Sequence, residues 1–220
     1  MVIQTNLKEL IHFNIMILEC IKKIQSPLFP FIGFLLSEKI LVRKFNKKLI
    51  SNFISFSHAS LAVMLNSLYL YTDDKIYLEL SKYITTGYFL FDSHYILNKP
   101  KLTLLDFGYI YHHIAGIHLI NINLPAIFLA KLFLTGELSN FPMYLVYHYN
   151  HIKEVSVKKA QFWKIIQKYV YTFLRVPILT SLLIKYYPQL SNKQKLLSLP
   201  SLPLYFLGLF WTGKLWLQNN

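Results

Sequence analysis

The sequence predicts an all-α protein, a polytopic transmembrane helix bundle of six to seven spans. Three observations predict it. The 220 residues are 54% hydrophobic and 16% aromatic, with a mean hydropathy of +0.37. Only 15% are charged, against about 25% in an ordinary soluble domain. Apolar runs close to the length needed to cross a bilayer alternate with short polar connections. The formal charge of +13 raises nucleic acid as a partner. The lysines, however, lie between apolar runs, where the cytosolic loops of a membrane protein carry them, so no nucleic acid is expected. A single cysteine, Cys20, excludes an intrachain disulfide and a cysteine metal cluster. No short apolar core followed by a small-residue cleavage site opens the chain, so no cleaved signal peptide is expected.

Residues 1–27 read as an amphipathic or interfacial segment. Its apolar run Leu10–Ile21 is interrupted by His12, Asn14 and Glu19, which suits a helix lying on a membrane better than one crossing it. Ser26-Pro27 breaks it. The transmembrane domain is expected over residues 28–217. Its first span is Leu28–Val42, followed by the basic run Arg43-Lys44-Phe45-Asn46-Lys47-Lys48. Leu49–Tyr71 is the second span, holding Ser57, His58 and Asn66, and Thr72-Asp73-Asp74-Lys75 ends it. Tyr77–Leu97 is the third, with Asp92 and His94 near its far end and the basic turn Asn98–Lys101 behind it.

Leu102–Ile122 is the fourth span and carries the adjacent pair His112-His113 inside an apolar run. The uncharged connection Asn121–Asn123 leads to the fifth, Leu124–Tyr149, which contains Lys131, Glu137, Asn140 and Pro142. After a basic stretch, His151–Lys164, the sixth is Phe162–Tyr187 with Arg175 and Pro177 inside it. The seventh, Leu196–Leu217, is interrupted by Pro200, Pro203 and Gly208. The loops Arg43–Lys48, Lys99–Lys101 and Lys153–Lys164 are basic and alternate with poorer ones, which puts them in the cytosol. The loop Pro188–Lys195, with Lys193 and Lys195, runs against that orientation.

Ionisable residues inside a membrane are costly and mark functional sites by default. At a rise of about 1.5 Å per residue, His58 lies roughly 13 Å from the cytosolic end of its span, Asp92 roughly 9 Å, and the His112-His113 pair roughly 15 Å. Glu137 lies roughly 18 Å deep and Arg175 roughly 20 Å. Five consecutive spans therefore offer polar groups at similar depth, able to converge on one partly hydrated cavity. Each has a plainer structural role as an alternative. His58 could be a core histidine, Asp92 a partner for Arg175 or a histidine, and Glu137 and Arg175 could pair with each other. His94 and His118 read as packing or interfacial residues, and Lys131 could snorkel or face the cavity. Adjacent positions on a helix diverge by about 100°, so His112 and His113 cannot chelate one ion side by side. No metal is expected. One of the two suits a general base and the other an orienting or packing residue.

The order of these motifs resembles the TLC-domain membrane proteins. It runs Ser57-His58, Gly87-Tyr88-Phe89-Leu90-Phe91-Asp92, His112-His113, Glu137-Leu138-Ser139-Asn140-Phe141-Pro142, then Arg175. The similarity covers about Leu28 to Leu217. The family includes ceramide synthases, which transfer an acyl group from acyl-CoA to a sphingoid amine. The resemblance implies that His112 and His113 match their essential pair, that the membrane is that of the endoplasmic reticulum, and that an acyl chain is held inside the bundle. The chain lacks the His-Asp run and second Asp that follow the pair in ceramide synthases. Glu137–Pro142 is more similar to the TLCD-like relatives, which are associated with lipid composition, sensing and trafficking. Two functions are therefore expected. The first is a membrane protein that binds or senses a lipid, with His58, Asp92, Glu137 and Arg175 as polar residues of the pocket and no cofactor. The alternative is an acyltransferase with acyl-CoA as co-substrate and His112 and His113 as catalytic residues. A trafficking adaptor is a third reading, for which the short cytosolic loops leave little room.

Overall fold

Prolines and short polar runs punctuate the apolar sequence, and helices form between them. A computed structural model describes residues 26–42, 47–152 and 156–217, and all of the regular structure there is helical. Residues 1–25, most of the basic run 43–48 and Lys153 lie outside the described residues, and with them the expected interfacial segment. The helices are α1 (Leu28–Leu41), α2 (Lys47–Thr72), α3 (Lys75–Leu97), α4 (Leu104–Asn121) and α5 (Ala126–His151). Then come α6 (Val157–Phe173), α7 (Leu179–Tyr186), α8 (Asn192–Ser198) and α9 (Leu202–Leu217). A π-turn over Leu174–Ile178 joins α6 to α7 without a break, so the expected sixth span is one continuous helical stretch.

Local sequence explains the ends. Asp74 caps α3, its Oδ1 accepting from the Ile76 N–H at 3.0 Å. Asp73 beside it turns the chain with a positive φ of 58°, a conformation that Asp and Asn tolerate better than most residues. Thr103 and Asp106 form a capping box at the start of α4, satisfying two of the amide donors that a helix N-terminus leaves open. Asp106 also takes Lys99 Nζ at 2.6 Å. Pro125 precedes α5, and Ser191 with Gln194 repeats the capping box at α8. Gln194 further donates to the Asn123 carbonyl, tying the two loops at that end of the bundle.

Among the described residues two stretches, Leu49–Thr72 and Asn192–Leu217, are long and apolar enough to cross a membrane by length and composition. The second is stepped by a 3-10 turn at Leu199–Ser201, where Pro200 sits. The other expected spans meet less of that standard. Helix α1 has 14 residues, about 21 Å of rise against a hydrocarbon core of about 30 Å. Helices α3 and α5 have 23 and 26 residues, long enough to span, but their interior His, Asn, Lys and Glu side chains lower their hydropathy.

Helices α2 and α5 share the most extensive interface. Asn52 Nδ2 donates to the Tyr144 carbonyl across it at 3.1 Å, and Phe56 packs on Phe141 and Tyr144. Helix α1 approaches α3 at Gly87, where a Cβ would lie 2.8 Å from the Phe31 amide nitrogen. Polarity runs inside out. His58, Asn66, Ser81, Thr85 and Ser139 are all 0% exposed, while Ile114, Phe206, Phe210 and Ile184 are each more than 60% exposed.

Candidate functional site

The polar residues singled out by the sequence fall into two groups, and Phe89 stands between them. The first group is buried where α2, α3 and α4 meet. His58 projects from α2, its Nε2 3.3 Å from Thr85 Oγ1 on α3, and its ring stacks on Tyr88 at 4.0 Å. Tyr88 in turn donates to Ser55 Oγ at 2.8 Å. His113 reaches from α4 to two consecutive residues of α3. Its Nδ1 lies 3.0 Å from Ser93 Oγ and its Nε2 3.4 Å from Asp92 Oδ2. Ser93 is within hydrogen-bond distance of the ring, and the Asp92 carboxylate stands a little farther off as its charged neighbour. Asp92 is thus the partner of a histidine and not of Arg175.

The second group lines a partly open cavity of about 170 Å³ bounded by α4, α5, α7 and the region around α9. Its polar end is made by His112, Glu137, Asn140 and Arg175. Its walls are apolar, with Leu132, Phe128, Leu124, Leu183 and Leu190 among them. On α5 the lining runs from Asn140 back to Phe128, twelve positions and about 18 Å of rise. The long axis therefore leads from the middle of the bundle toward the uncharged connection at Ile122–Pro125 and away from the basic loops.

Arg175 is held at the polar end by the backbone as well as by side chains. Its Nε donates to Ser139 Oγ at 2.9 Å and its Nη2 to the Gly136 carbonyl at 3.2 Å. Ser139 Oγ donates onward to the same carbonyl at 2.6 Å. The guanidinium lies over the Tyr171 ring at 5.4 Å. Arg175 sits in the π-turn, whose Pro177 cannot donate to the helix ladder, and such turns recur where a helix must aim a side chain. Gly136 and Gly208 flank it, and a Cβ at Gly208 would lie 3.7 Å from Arg175 Cδ. Glu137 lines the same space, yet the two charges form no ion pair. The pairing of Glu137 with Arg175 that the sequence allowed is not made.

The histidine pair is divided as helix geometry requires. His112 faces the cavity and His113 faces α3, their ring centroids 5.7 Å apart. Phe89 stacks on His113 at 4.9 Å, meets His112 edge-on at 5.9 Å, and itself lines the cavity. Gly116 makes its room, since a Cβ there would lie 2.5 Å from Phe89 Cε2. Of the polar residues expected to converge on one pocket, His112, Glu137 and Arg175 line this cavity, while His58, Asp92 and His113 lie where α2, α3 and α4 meet, with Phe89 against His58 and His113. The remaining polar residues have local partners. His118 Nε2 meets the Leu197 carbonyl at 2.8 Å, His94 meets Asn98 at 3.1 Å, and Lys131 lies over Tyr186 at 5.9 Å. The sequence assigns no site role to Phe89, Ser139 or Gly116, because an aromatic, a serine and a glycine inside apolar helices carry no chemical signal of their own.

Among the described residues no group of three His, Cys, Asp or Glu side chains stands close enough to hold a metal ion. No family model, curated protein or solved structure matches the chain.

Proposed function

We propose that the chain is a multi-pass membrane protein with a TLC-like helix bundle, which binds or senses a lipid and so influences membrane lipid composition. The observation that carries this reading is the cavity, with its polar end of His112, Glu137, Asn140 and Arg175 and its apolar length of leucines and phenylalanines. Such a shape suits an amphiphile, head inward and chain along the helices. The outer surface supports the membrane setting. Side chains such as Phe210 and Ile184 are exposed at 63% and 71% while histidine and asparagine are buried, the arrangement that hydrocarbon favours over water. An endoplasmic reticulum membrane is proposed from the resemblance alone.

A second reading is an acyl-CoA-dependent lipid acyltransferase. It is favoured by one observation, that a histidine faces the cavity while its neighbour is fixed from behind by Asp92 and Ser93. In such a reaction His112 takes the proton of the attacking amine or hydroxyl. The new bond forms at the thioester carbonyl carbon, the C–S bond breaks, and the proton leaves with the CoA thiol. His113 acts as a positioning residue.

The experiment is to purify the full chain and identify co-purified lipid by mass spectrometry, then to supply labelled acyl-CoA with candidate acceptors. Retained lipid without turnover supports the binding reading. A product formed by the wild type and lost in His112→Ala supports the transferase. A preparation that carries no lipid and turns nothing over defeats both.

A further inference from the structure

We infer that the cavity takes a single-chain zwitterionic amphiphile, its anionic group on Arg175 and its amine on Glu137. This rests on the lipid-binding reading above and narrows it to one class of ligand.

Chain number follows from size. A cavity of about 170 Å³ on this measure offers roughly a dozen water-sized positions. A methylene occupies about the volume of a water, so the bounded space matches one hydrocarbon chain. Leu132, Phe128, Leu124 and Leu190 line it on one side, and Leu202 and Leu204 of α9 line it as well.

Head-group charge follows from the two ions that do not meet. Arg175 spends two of its N–H groups on Ser139 and Gly136. A guanidinium has five, so three remain to bind an oxyanion in its fork. Glu137 lines the same end beside Asn140, close enough to interact with the guanidinium but outside ion-pair distance of it. Both groups therefore keep bonding capacity open toward the cavity. A ligand carrying the reversed pair, anion to Arg175 and ammonium to Glu137, neutralises both at once. A simple anion meets Arg175 but is repelled by Glu137, and a simple cation meets the opposite difficulty. His112 and Asn140, at the same end, supply hydrogen bonds to either half. The anion could be a phosphate or a carboxylate, since the guanidinium fork fits both.

The test uses the purified full chain in detergent micelles and native mass spectrometry titrations with dodecyl-chain probes. Lauroyl lysophosphatidylethanolamine and 2-aminododecanoic acid are the phosphate and carboxylate zwitterions. Dodecanoate, dodecylamine and lauroyl lysophosphatidylcholine, whose ammonium has no N–H, are the controls. At least one primary-amine zwitterion is expected to bind about tenfold more tightly than dodecanoate or dodecylamine, and which one does so identifies the anion. Arg175→Met should lose that margin, and Glu137→Gln should level the primary and quaternary amines. Should either variant fail to fold, the wild-type panel still decides. Dodecanoate or dodecylamine binding as well as both zwitterions would overturn the proposal while leaving lipid binding intact. If no probe binds, or if filling the apolar path by Leu132→Trp leaves all binding unchanged, the lipid-binding reading itself fails.

Discussion

Phe89 occupies the volume that Gly116 leaves open on the facing helix, so that a Cβ at 116 would lie 2.5 Å from Phe89 Cε2. The ring then reaches across to stack on His113 at 4.9 Å. Gly87 makes a different kind of contact, because its missing Cβ would meet backbone, 2.8 Å from both the Phe31 nitrogen and the Pro27 oxygen. A ring can tilt away from an added methyl group, while the first turn of α1 cannot. Gly87→Ala should therefore destabilise more than Gly116→Ala, by about 1–3 kcal/mol. Phe89→Leu should recover part of the loss in Gly116→Ala and none in Gly87→Ala. Thermal unfolding of the purified variants checks the order, and equal midpoints for Gly87→Ala and wild type would refute it.

The two adjacent histidines should separate stability from binding. His113 is 4% exposed, hydrogen-bonded to Ser93 at one ring nitrogen and 3.4 Å from the Asp92 carboxylate at the other. Its replacement by alanine opens a cavity against Phe89 and strands Asp92, a loss of about 2–4 kcal/mol. His112 lines the open space, so His112→Ala should cost under about 1 kcal/mol yet alter lipid retention or turnover. Unfolding midpoints beside lipid content measure both. A His112 variant that unfolds as readily as the His113 variant contradicts the division.

Arg175 is expected to tolerate lysine poorly. Lysine keeps the charge but cannot reach Ser139 Oγ and the Gly136 carbonyl together as the guanidinium does. Loss of these charge-assisted bonds should lower stability by about 1–3 kcal/mol. Ser139→Ala removes one acceptor only and should cost less, and the double variant should lose less than the sum of the singles. Strict additivity in the unfolding data would mean the two residues do not act together.

Helix α4, which carries both histidines, starts at a capping box. Thr103→Ala removes the acceptor for the Asp106 amide and should cost about 1 kcal/mol, with Thr103→Ser restoring most of it. Hydrogen exchange confined to the first turn of α4 reads the effect. Unchanged protection there would dismiss the cap.

Much of the helix layout is legible in the sequence. The Thr72–Lys75 break, the Asn98–Lys101 turn and the Asn121–Pro125 connection each mark a helix end seen in the structure. That His112 and His113 must point apart is also legible, from their adjacency alone. Which side each faces is not, because that depends on what α3 and α5 bring to either flank. The same holds for Arg175. Its Ser139 acceptor lies 36 positions away, and nothing local in the chain says that a serine and not Glu137 would take the guanidinium. The place of Phe89 between His112 and His113 likewise depends on Gly116, a glycine on another helix.

The π-turn at Leu174–Ile178 has an indexing effect on everything after it. A turn widened by one residue absorbs an extra position, so the helix after it keeps the phase it would have without that residue. Deleting one residue there should relax the turn to ordinary α-helix and leave Leu179 and Leu183 on the cavity, whereas the same deletion within α6 would rotate them by about 100°. The wide turn is slack that keeps the last part of the chain in step.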